Sequence, residues 1–186
     1  MKVLKIFFSL MLFLTVGFAS NTAFELKDIQ GNTYHVNATS DSIVIDELKG
    51  QVVFIAFFGH RCPPCRMEIP GFISYTNNKD YAKKSTILAF EVQGLQRGDV
   101  KSFAKDAGIN YRLVPGSESS KFIDYVGAVT SWNYAIPFMV VLDKDGKIKT
   151  YGNGIVSPEE LMSMTDQILQ PVTTDNKTTQ QGGKHE

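Results

Sequence analysis

The stretch QVVFIAFFGHRCPPCRMEIP, residues 51–70, decides the fold. It joins an apolar run at 51–58 to two cysteines, Cys62 and Cys65, with two prolines between them. An apolar run rich in β-branched and aromatic residues predicts a strand buried on both faces, as in the centre of a parallel or mixed sheet. Residues 62–77 then predict a helix, because proline costs little in the first helical turn, where its missing N–H would lack a partner.

The rest of the chain alternates strands and helices in the same manner. Further apolar runs predict strands at 86–92 and 138–142, with a hairpin partner at 147–151, and helices are predicted at 98–107, 117–126 and 158–169. Residues 24–36 alternate around a Gln-Gly-Asn turn, which predicts a β-hairpin before the first buried strand. This order predicts a single α/β domain over residues 20–170, with an N-terminal β-hairpin extension.

Composition excludes several classes of protein. The 186 residues are 43% hydrophobic and 20% charged, with 19 basic and 19 acidic side chains, as in an ordinary globular protein. Because the net charge is zero, the whole chain has no electrostatic pull toward nucleic acid, and no nucleic-acid partner is predicted. Two cysteines in the whole chain exclude a disulfide-rich scaffold and any four-cysteine zinc or iron–sulfur site.

Residues 1–19 have the pattern of a secretory signal peptide. Lys2 and Lys5 precede an apolar core at 6–16, and Gly17-Phe18-Ala19 supplies small residues for cleavage before Ser20. An uncleaved membrane anchor is the alternative, although the apolar core is shorter than the ~20 residues that span a bilayer. The sequence therefore predicts an exported, periplasmic protein of bacterial type, anchored to the membrane if the signal stays in place.

The opposite end of the chain predicts disorder. Residues 171–186 contain a single aliphatic side chain, Val172, so they bury too little apolar surface to offset the entropy of ordering. His185 in this polar tail is interpreted as a solvated side chain rather than a metal ligand.

Cys62 and Cys65 have the spacing and position of a redox-active pair. Two intervening residues at a helix start let the sulfurs reach disulfide distance, and the free N–H groups and dipole of that end stabilise a thiolate at Cys62. His60 and Arg61 precede it and add positive potential. Such a thiolate would attack the disulfide of a partner protein, and Cys65 would resolve the mixed disulfide.

A structural disulfide and half of a metal site are the alternative interpretations. A loop this short constrains little of the unfolded chain, so the bridge would be a weak staple. A zinc site would need two more ligands, with only His35, His60 and His185 available. Redox chemistry is therefore favoured, and no metal is predicted.

Residues 57–70, FFGHRCPPCRMEIP, resemble the active-site segment of thioredoxin-fold thiol–disulfide oxidoreductases, above all the exported TlpA/ResA type. Pro70 matches the helix-kinking proline of that fold, and residues 136–143, IPFMVVLD, resemble its cis-proline segment. The resemblance covers residues 24–169 and implies a thioredoxin-like fold, a central mixed sheet flanked by helices. It also implies that Pro137 is cis and faces the cysteines and that Ile136 contacts substrate.

Glu68 is the candidate acid of the site. It lies three residues after Cys65, so both share a face of the predicted helix, where a carboxylate could exchange the proton of Cys65. The family often has an acid at this position, whereas the buried acid of thioredoxin itself corresponds to Ala56 here. An ordinary exposed helix glutamate is the alternative.

Arg61 departs from the family, which usually has tryptophan before the first cysteine. Its cation could lower the pKa of Cys62 or bind an acidic partner, and a solvated side chain is the alternative. Trp132 and Tyr134, before the proline segment, could form an apolar rim for substrate or belong to the core.

The sequence therefore predicts an exported thiol–disulfide oxidoreductase that needs no dissociable cofactor. The resemblance suggests a reductase of exported proteins, including apocytochromes before haem attachment, supplied by a membrane-bound thiol electron donor. A periplasmic oxidant that installs disulfides is an alternative, since direction depends on reduction potential. A thioredoxin-fold copper chaperone is another, although such proteins usually space their cysteines by three residues and use a downstream histidine.

Overall fold

The computed structural model describes residues 21–170. In chain order the strands are Thr22–Lys27 (β1), Thr33–Thr39 (β2), Ser42–Ile45 (β3), Val52–Phe58 (β4), Ser85–Glu91 (β5), Arg112–Pro115 (β6), Phe138–Leu142 (β7) and Ile148–Asn153 (β8). The α-helices are Pro63–Asn77 (α1), Lys79–Ala82 (α2), Arg97–Asp106 (α3), Ser120–Thr130 (α4) and Pro158–Leu169 (α5).

The central sheet is mixed, and this confirms the thioredoxin-like fold that was predicted. It has five strands in the order β6-β5-β4-β7-β8. Strand β4 pairs parallel with β5, and β5 with β6, while β7 runs antiparallel to β4 and β8. The parallel pairing places the carboxyl ends of β4 and β5 side by side, so Phe58 is opposite Glu91 at the edge where the cysteine motif begins.

Strand β4 separates two apolar cores because successive side chains point to opposite faces. Val53, Ile55 and Phe57 belong to one core, which also contains side chains from β1–β3 and α4. Phe54 and its even-numbered neighbours face the other core, which contains side chains from α1, α3 and α5. All seven residues of β4 are buried, as a strand covered on both faces requires.

The N-terminal extension is larger than the predicted hairpin. Strands β1, β2 and β3 form an antiparallel sheet of three, in that order. Backbone bonds from Ile43 N to Gly146 O, 2.7 Å, and from Ile29 N to Leu113 O, 2.9 Å, join this sheet to the central one. The third strand has only four residues, a length at which alternation does not distinguish a strand from a turn.

Strand β6 and helix α2 were not predicted. Each has four residues, and β6 ends in proline, which cannot donate to a sheet ladder and is confined to edges and strand ends. The helix expected at 117–126 is divided: a 3₁₀ turn covers Gly116–Glu118, and α4 starts at Ser120.

Predictions for the two ends, the signal peptide at 1–19 and the polar tail at 171–186 with His185, lie outside the described residues. Between residues 21 and 170 no helix is both long enough and apolar enough to cross a membrane.

Candidate active site

Cys62 lies at the junction of strand and helix, where the sequence places it. It is the N-cap residue of α1, and its Sγ accepts a hydrogen bond from the N–H of Cys65 at 3.3 Å. Pro63 and Pro64 occupy the first two helical positions, where no intrahelical donor is lost. Because the two prolines have no N–H, the donor that this helix end presents to the sulfur is the N–H of Cys65, and with the helix dipole it favours a thiolate there.

The two cysteines form a disulfide, with their Cα atoms 5.3 Å apart. Cys62 is 6% exposed and Cys65 is 1% exposed, so Cys62 is the more accessible of the two residues. This asymmetry matches the roles expected of an attacking and a resolving thiol.

The proline segment lies directly beside Cys62. The Ile136–Pro137 peptide bond is cis, as the resemblance implies. The carbonyl oxygen of Ile136 is 3.8 Å from the Sγ of Cys62, and Pro137 leads into β7. Thus the segment predicted to bind substrate borders the sulfur of Cys62.

Trp132, by contrast, belongs to the core. It is 5% exposed, its ring stacks on Phe138 with centroids 4.6 Å apart, and its Nε1 donates to the carbonyl of Ala135. Of the two aromatic residues considered for a substrate rim, only Tyr134 is exposed.

Glu68 is buried on the inner face of α1. It is 5% exposed, and its Oε1 accepts a hydrogen bond from the N–H of Val156 at 2.8 Å. Burial raises the pKa of Glu68 to about 7, and the Val156 N–H opposes this only in part. The pKa of Tyr111 is raised by burial and, to a smaller extent, by the negative charge of Glu68. A carboxyl group with this pKa can gain or lose a proton near neutral pH.

Two groups that the sequence analysis missed hold the turn before Cys62. Glu91, at the end of β5, is fully buried, and its Oε1 faces the Nδ1 of His60 at 2.8 Å. Gln93, two residues later, accepts a hydrogen bond from the N–H of Arg61 through its Oε1, also at 2.8 Å. Arg61 itself is exposed beside the disulfide.

A signal for Glu91 was present in the sequence. It is the one charged residue of the run TILAFEV, whose other members predict a fully buried strand. A charged residue is almost never fully buried without partners, so a carboxylate at the end of such a strand, beside the strand that leads to the motif, points to the site. Gln93 carries no comparable signal because it lies in a polar connection.

The described residues offer no cluster for a metal. Between residues 21 and 170 no group of three or more histidine, cysteine, aspartate or glutamate side chains is arranged to hold an ion. His60 faces Glu91, and His35 faces Glu47 at 2.6 Å, in the N-terminal sheet. What the structure does bring together is the Cys62–Cys65 disulfide and the Ile136–Pro137 segment.

Known proteins are similar to this chain in sequence and in fold. The chain is 27% identical to thiol-disulfide oxidoreductase ResA of Geobacillus thermodenitrificans over 149 residues, which cover 78% of this chain and 74% of that one. It is 24% identical to thioredoxin-like protein YneN of Bacillus subtilis over 125 residues, 66% of this chain and 68% of that one.

Solved structures agree on the fold. StoA from Bacillus subtilis superposes with a TM-score of 0.59 at 23% identity, covering 79% of this chain and 98% of that one. A thiol:disulfide interchange protein from Chlorobium tepidum superposes with a TM-score of 0.62 at 24% identity, covering 80% of this chain and 94% of that one. The profile of the AhpC/TSA family matches residues 21–151, more than half of the chain. With the cysteine pair at the start of α1, these similarities show that the chain belongs to the AhpC/TSA family and is a thiol–disulfide oxidoreductase of thioredoxin fold.

Proposed function

We propose that this oxidoreductase is an exported reductase of protein disulfides in which Cys62 is the nucleophile. The assignment rests on the position of Cys62. This residue caps α1 and is the more exposed of the two cysteines. Its Sγ lies 3.8 Å from the carbonyl oxygen of Ile136. We therefore expect a partner disulfide to approach the more exposed cysteine, Cys62, along the Ile136–Pro137 segment.

The exchange takes place in two displacements. In the reduced enzyme the Cys62 thiolate attacks one sulfur of the partner disulfide, forming a mixed disulfide and releasing the partner's other sulfur as a thiolate. Cys65 then attacks the Sγ of Cys62, restores the enzyme disulfide and releases the partner's second sulfur. The partner gains two electrons and the enzyme loses two.

Glu68 is proposed to accept the proton of Cys65 in the second displacement. Both residues lie on the inner face of α1 and both are buried, so bulk water has poor access to the thiol. A pKa of about 7 gives Glu68 an appreciable population of each protonation state at neutral pH, which general acid–base catalysis requires.

Ile136, Pro137 and Arg61 are proposed to contact the substrate. The first two border the reactive sulfur, and Arg61 is an exposed cation one residue before it. An extended partner segment would lie along the proline segment, and an acidic side chain on it would be attracted to the guanidinium.

Export and direction form the remaining part of the proposal. Export is supported by the signal-peptide pattern of residues 1–19. The reductase direction follows the resemblance to the TlpA/ResA type, with exported proteins such as apocytochrome c as substrates. Because the enzyme ends each cycle oxidised, it needs an electron donor, for which a membrane-bound thiol carrier is proposed.

Replacing Cys62 tests the mechanism. The Cys62→Ser variant should lose reduction of insulin disulfides, since serine forms no mixed disulfide. The Cys65→Ser variant should instead accumulate the mixed disulfide, detected as an added mass that dithiothreitol removes. Insulin reduction by Cys62→Ser at the wild-type rate would overturn the assignment.

A glutathione redox titration of residues 20–186 tests the direction. A reduction potential of about −270 mV, as in thioredoxin, would support a reductase. A potential of about −120 mV would instead indicate an oxidant that installs disulfides. Stoichiometric Cu(I) binding without exchange activity would instead assign a copper chaperone.

A further inference from the structure

The turn that carries Cys62 is held from one side. Within residues 59–62 the N–H of Cys62 bonds to the carbonyl of Gly59 at 3.1 Å, closing the turn. The two N–H groups between them point instead toward the end of β5. That of His60 reaches Glu91 Oε1 at 3.3 Å, and that of Arg61 reaches Gln93 Oε1 at 2.8 Å.

Gln93 covers Gly59 as well as bonding Arg61. A Cβ atom at Gly59 would lie 2.2 Å from the Gln93 Cδ and 2.5 Å from its Oε1, far inside van der Waals contact. The absence of a side chain at Gly59 therefore creates the space through which Gln93 reaches the Arg61 N–H.

Glu91 fixes Gln93 in turn. Its carboxylate accepts the N–H of Gln93 at 3.1 Å and that of Leu95 at 3.0 Å, in addition to the bonds from His60. Because Glu91 is fully buried, moving its carboxyl group would leave these donors without a partner, so it is a rigid support.

We propose that Gln93 is a positioning residue for Cys62. By accepting the Arg61 N–H, Gln93 fixes the backbone of the turn just before Cys62. It thereby fixes the position of the Cys62 Sγ relative to the Cys65 N–H and the Ile136 carbonyl. The inference rests on the proposed role of Cys62 as nucleophile. Released from Gln93, the turn loosens and the thiolate loses part of its contact with the helix N-terminus, which raises the pKa of Cys62.

The variant Gln93→Met tests the inference because it keeps the length of the side chain and replaces the amide, whose oxygen accepts the Arg61 N–H, with a thioether. Its matched control is Gln96→Met, the same change at an exposed position whose side chain makes no capping bond to α3. For each reduced protein we would measure the rate of Cys62 alkylation by iodoacetamide against pH, insulin reduction, and the melting temperature of both redox states.

We expect Gln93→Met to raise the pKa read from the alkylation profile by at least half a unit and to slow insulin reduction about five- to tenfold, the usual effect of one net hydrogen bond. Gln96→Met should stay within twofold of wild type. Wild-type values for Gln93→Met would overturn the inference. So would a slower reaction with an unchanged alkylation profile and equally lowered melting temperatures in both redox states, which would indicate a structural role only.

The variant Gly59→Ala reaches the same contact from the other side and serves if Gln93→Met does not fold. Its methyl group should displace the Gln93 side chain and reproduce the alkylation shift, and adding Gln93→Ala should cause no further shift, since both act on one interaction. Additive shifts would overturn the inference. Labelling of Cys65 in place of Cys62 in the wild type would overturn the proposed nucleophile instead, so the two failures are distinguishable by peptide mass.

Discussion

Glu68 couples the stability of the protein to pH. Its pKa of about 7 exceeds the ordinary value of 4.5 because burial disfavours the carboxylate. Between these two values the folded chain keeps a proton that the unfolded chain has lost, so stability falls as pH rises through this window. Above pH 7 the free energy of unfolding should be lower than at pH 4.5 by up to about 3 kcal/mol.

The Glu68→Gln variant should remove this dependence, since the amide is neutral at every pH. Urea unfolding of the oxidised protein at pH 5 and pH 8 should show a smaller difference in the variant than in wild type. Glu159→Gln, at an exposed position, is the control and should keep the wild-type difference. An unchanged difference in Glu68→Gln would mean that Glu68 is ionised in the fold throughout this range.

Glu68 should also limit exchange. If it accepts the proton of Cys65, Glu68→Gln should slow insulin reduction at pH 7 by about 10²-fold or more, the typical contribution of a positioned general base. The rate should recover as pH rises toward the pKa of a free thiol, about 8.5, because Cys65 then ionises unaided. A rate equal to wild type at pH 7 would contradict the proposal.

Single residues were predictable where a motif carried them. Cys62 and Cys65 follow from spacing and from the strand before them, and the cis bond at Pro137 came from resemblance alone. The sequence marks Glu91 by its charge within an apolar run, but the roles of Glu91 and Gln93 at the site depend on which strands are neighbours. Only the parallel pairing of β4 with β5 brings the end of β5 to the cysteine turn.

Helix α5 starts with a reciprocal cap that also serves the site. The Ser157 side chain accepts the N–H of Glu160 at 3.2 Å, and Glu160 accepts the N–H of Ser157 at 2.7 Å. The preceding residue, Val156, donates to Glu68. The cap therefore holds the strand-to-helix connection against the buried acid on α1.

The Ser157→Ala variant should lower the free energy of unfolding by about 1 kcal/mol, as loss of an N-cap usually does. The control Ser163→Ala, in the exposed middle of α5, removes only an exposed bond from Gln167 and should cause no net loss, because alanine is the better helix former. Denaturant unfolding of both variants measures the difference. Equal stabilities of the two would contradict the capping assignment.

Elements were predictable in proportion to their length and pattern. Strands β4 and β7 and helices α1 and α5 follow from apolar runs, capping residues and prolines. Strand β6 was not predicted because it is short, with four residues, and pairs with one neighbouring strand only. Helix α4 starts later than predicted because a 3₁₀ turn precedes it. Both depend on tertiary contacts, which local propensity does not encode.

At the scale of the whole molecule, one buried hydrogen-bond cluster joins three elements. The Tyr75 hydroxyl on α1 lies 2.5 Å from Ser85 Oγ on β5 and 2.7 Å from Thr165 Oγ1 on α5. Tyr75→Phe should destabilise the protein by about 1–3 kcal/mol, because buried hydroxyl groups lose a partner.

Thermal unfolding and insulin reduction of Tyr75→Phe separate stability from activity. Exchange at 25 °C should be unchanged, since the cluster makes no contact with the cysteines. The control is Tyr151→Phe, which removes an exposed hydroxyl and should leave the melting temperature within about 1 °C, as surface substitutions usually do. A stability of Tyr75→Phe equal to that control would contradict the prediction.

The unequal exposure of the two sulfurs also determines how the molecule meets oxidative damage. A peroxide should reach Cys62, which is 6% exposed, more readily than Cys65, which is 1% exposed. Any sulfenic acid formed at Cys62 therefore has a protected thiol next to it, and condensation of the two returns the ordinary disulfide before further oxidation to the sulfinic acid. The buried Cys65 thus keeps the oxidation of Cys62 reversible.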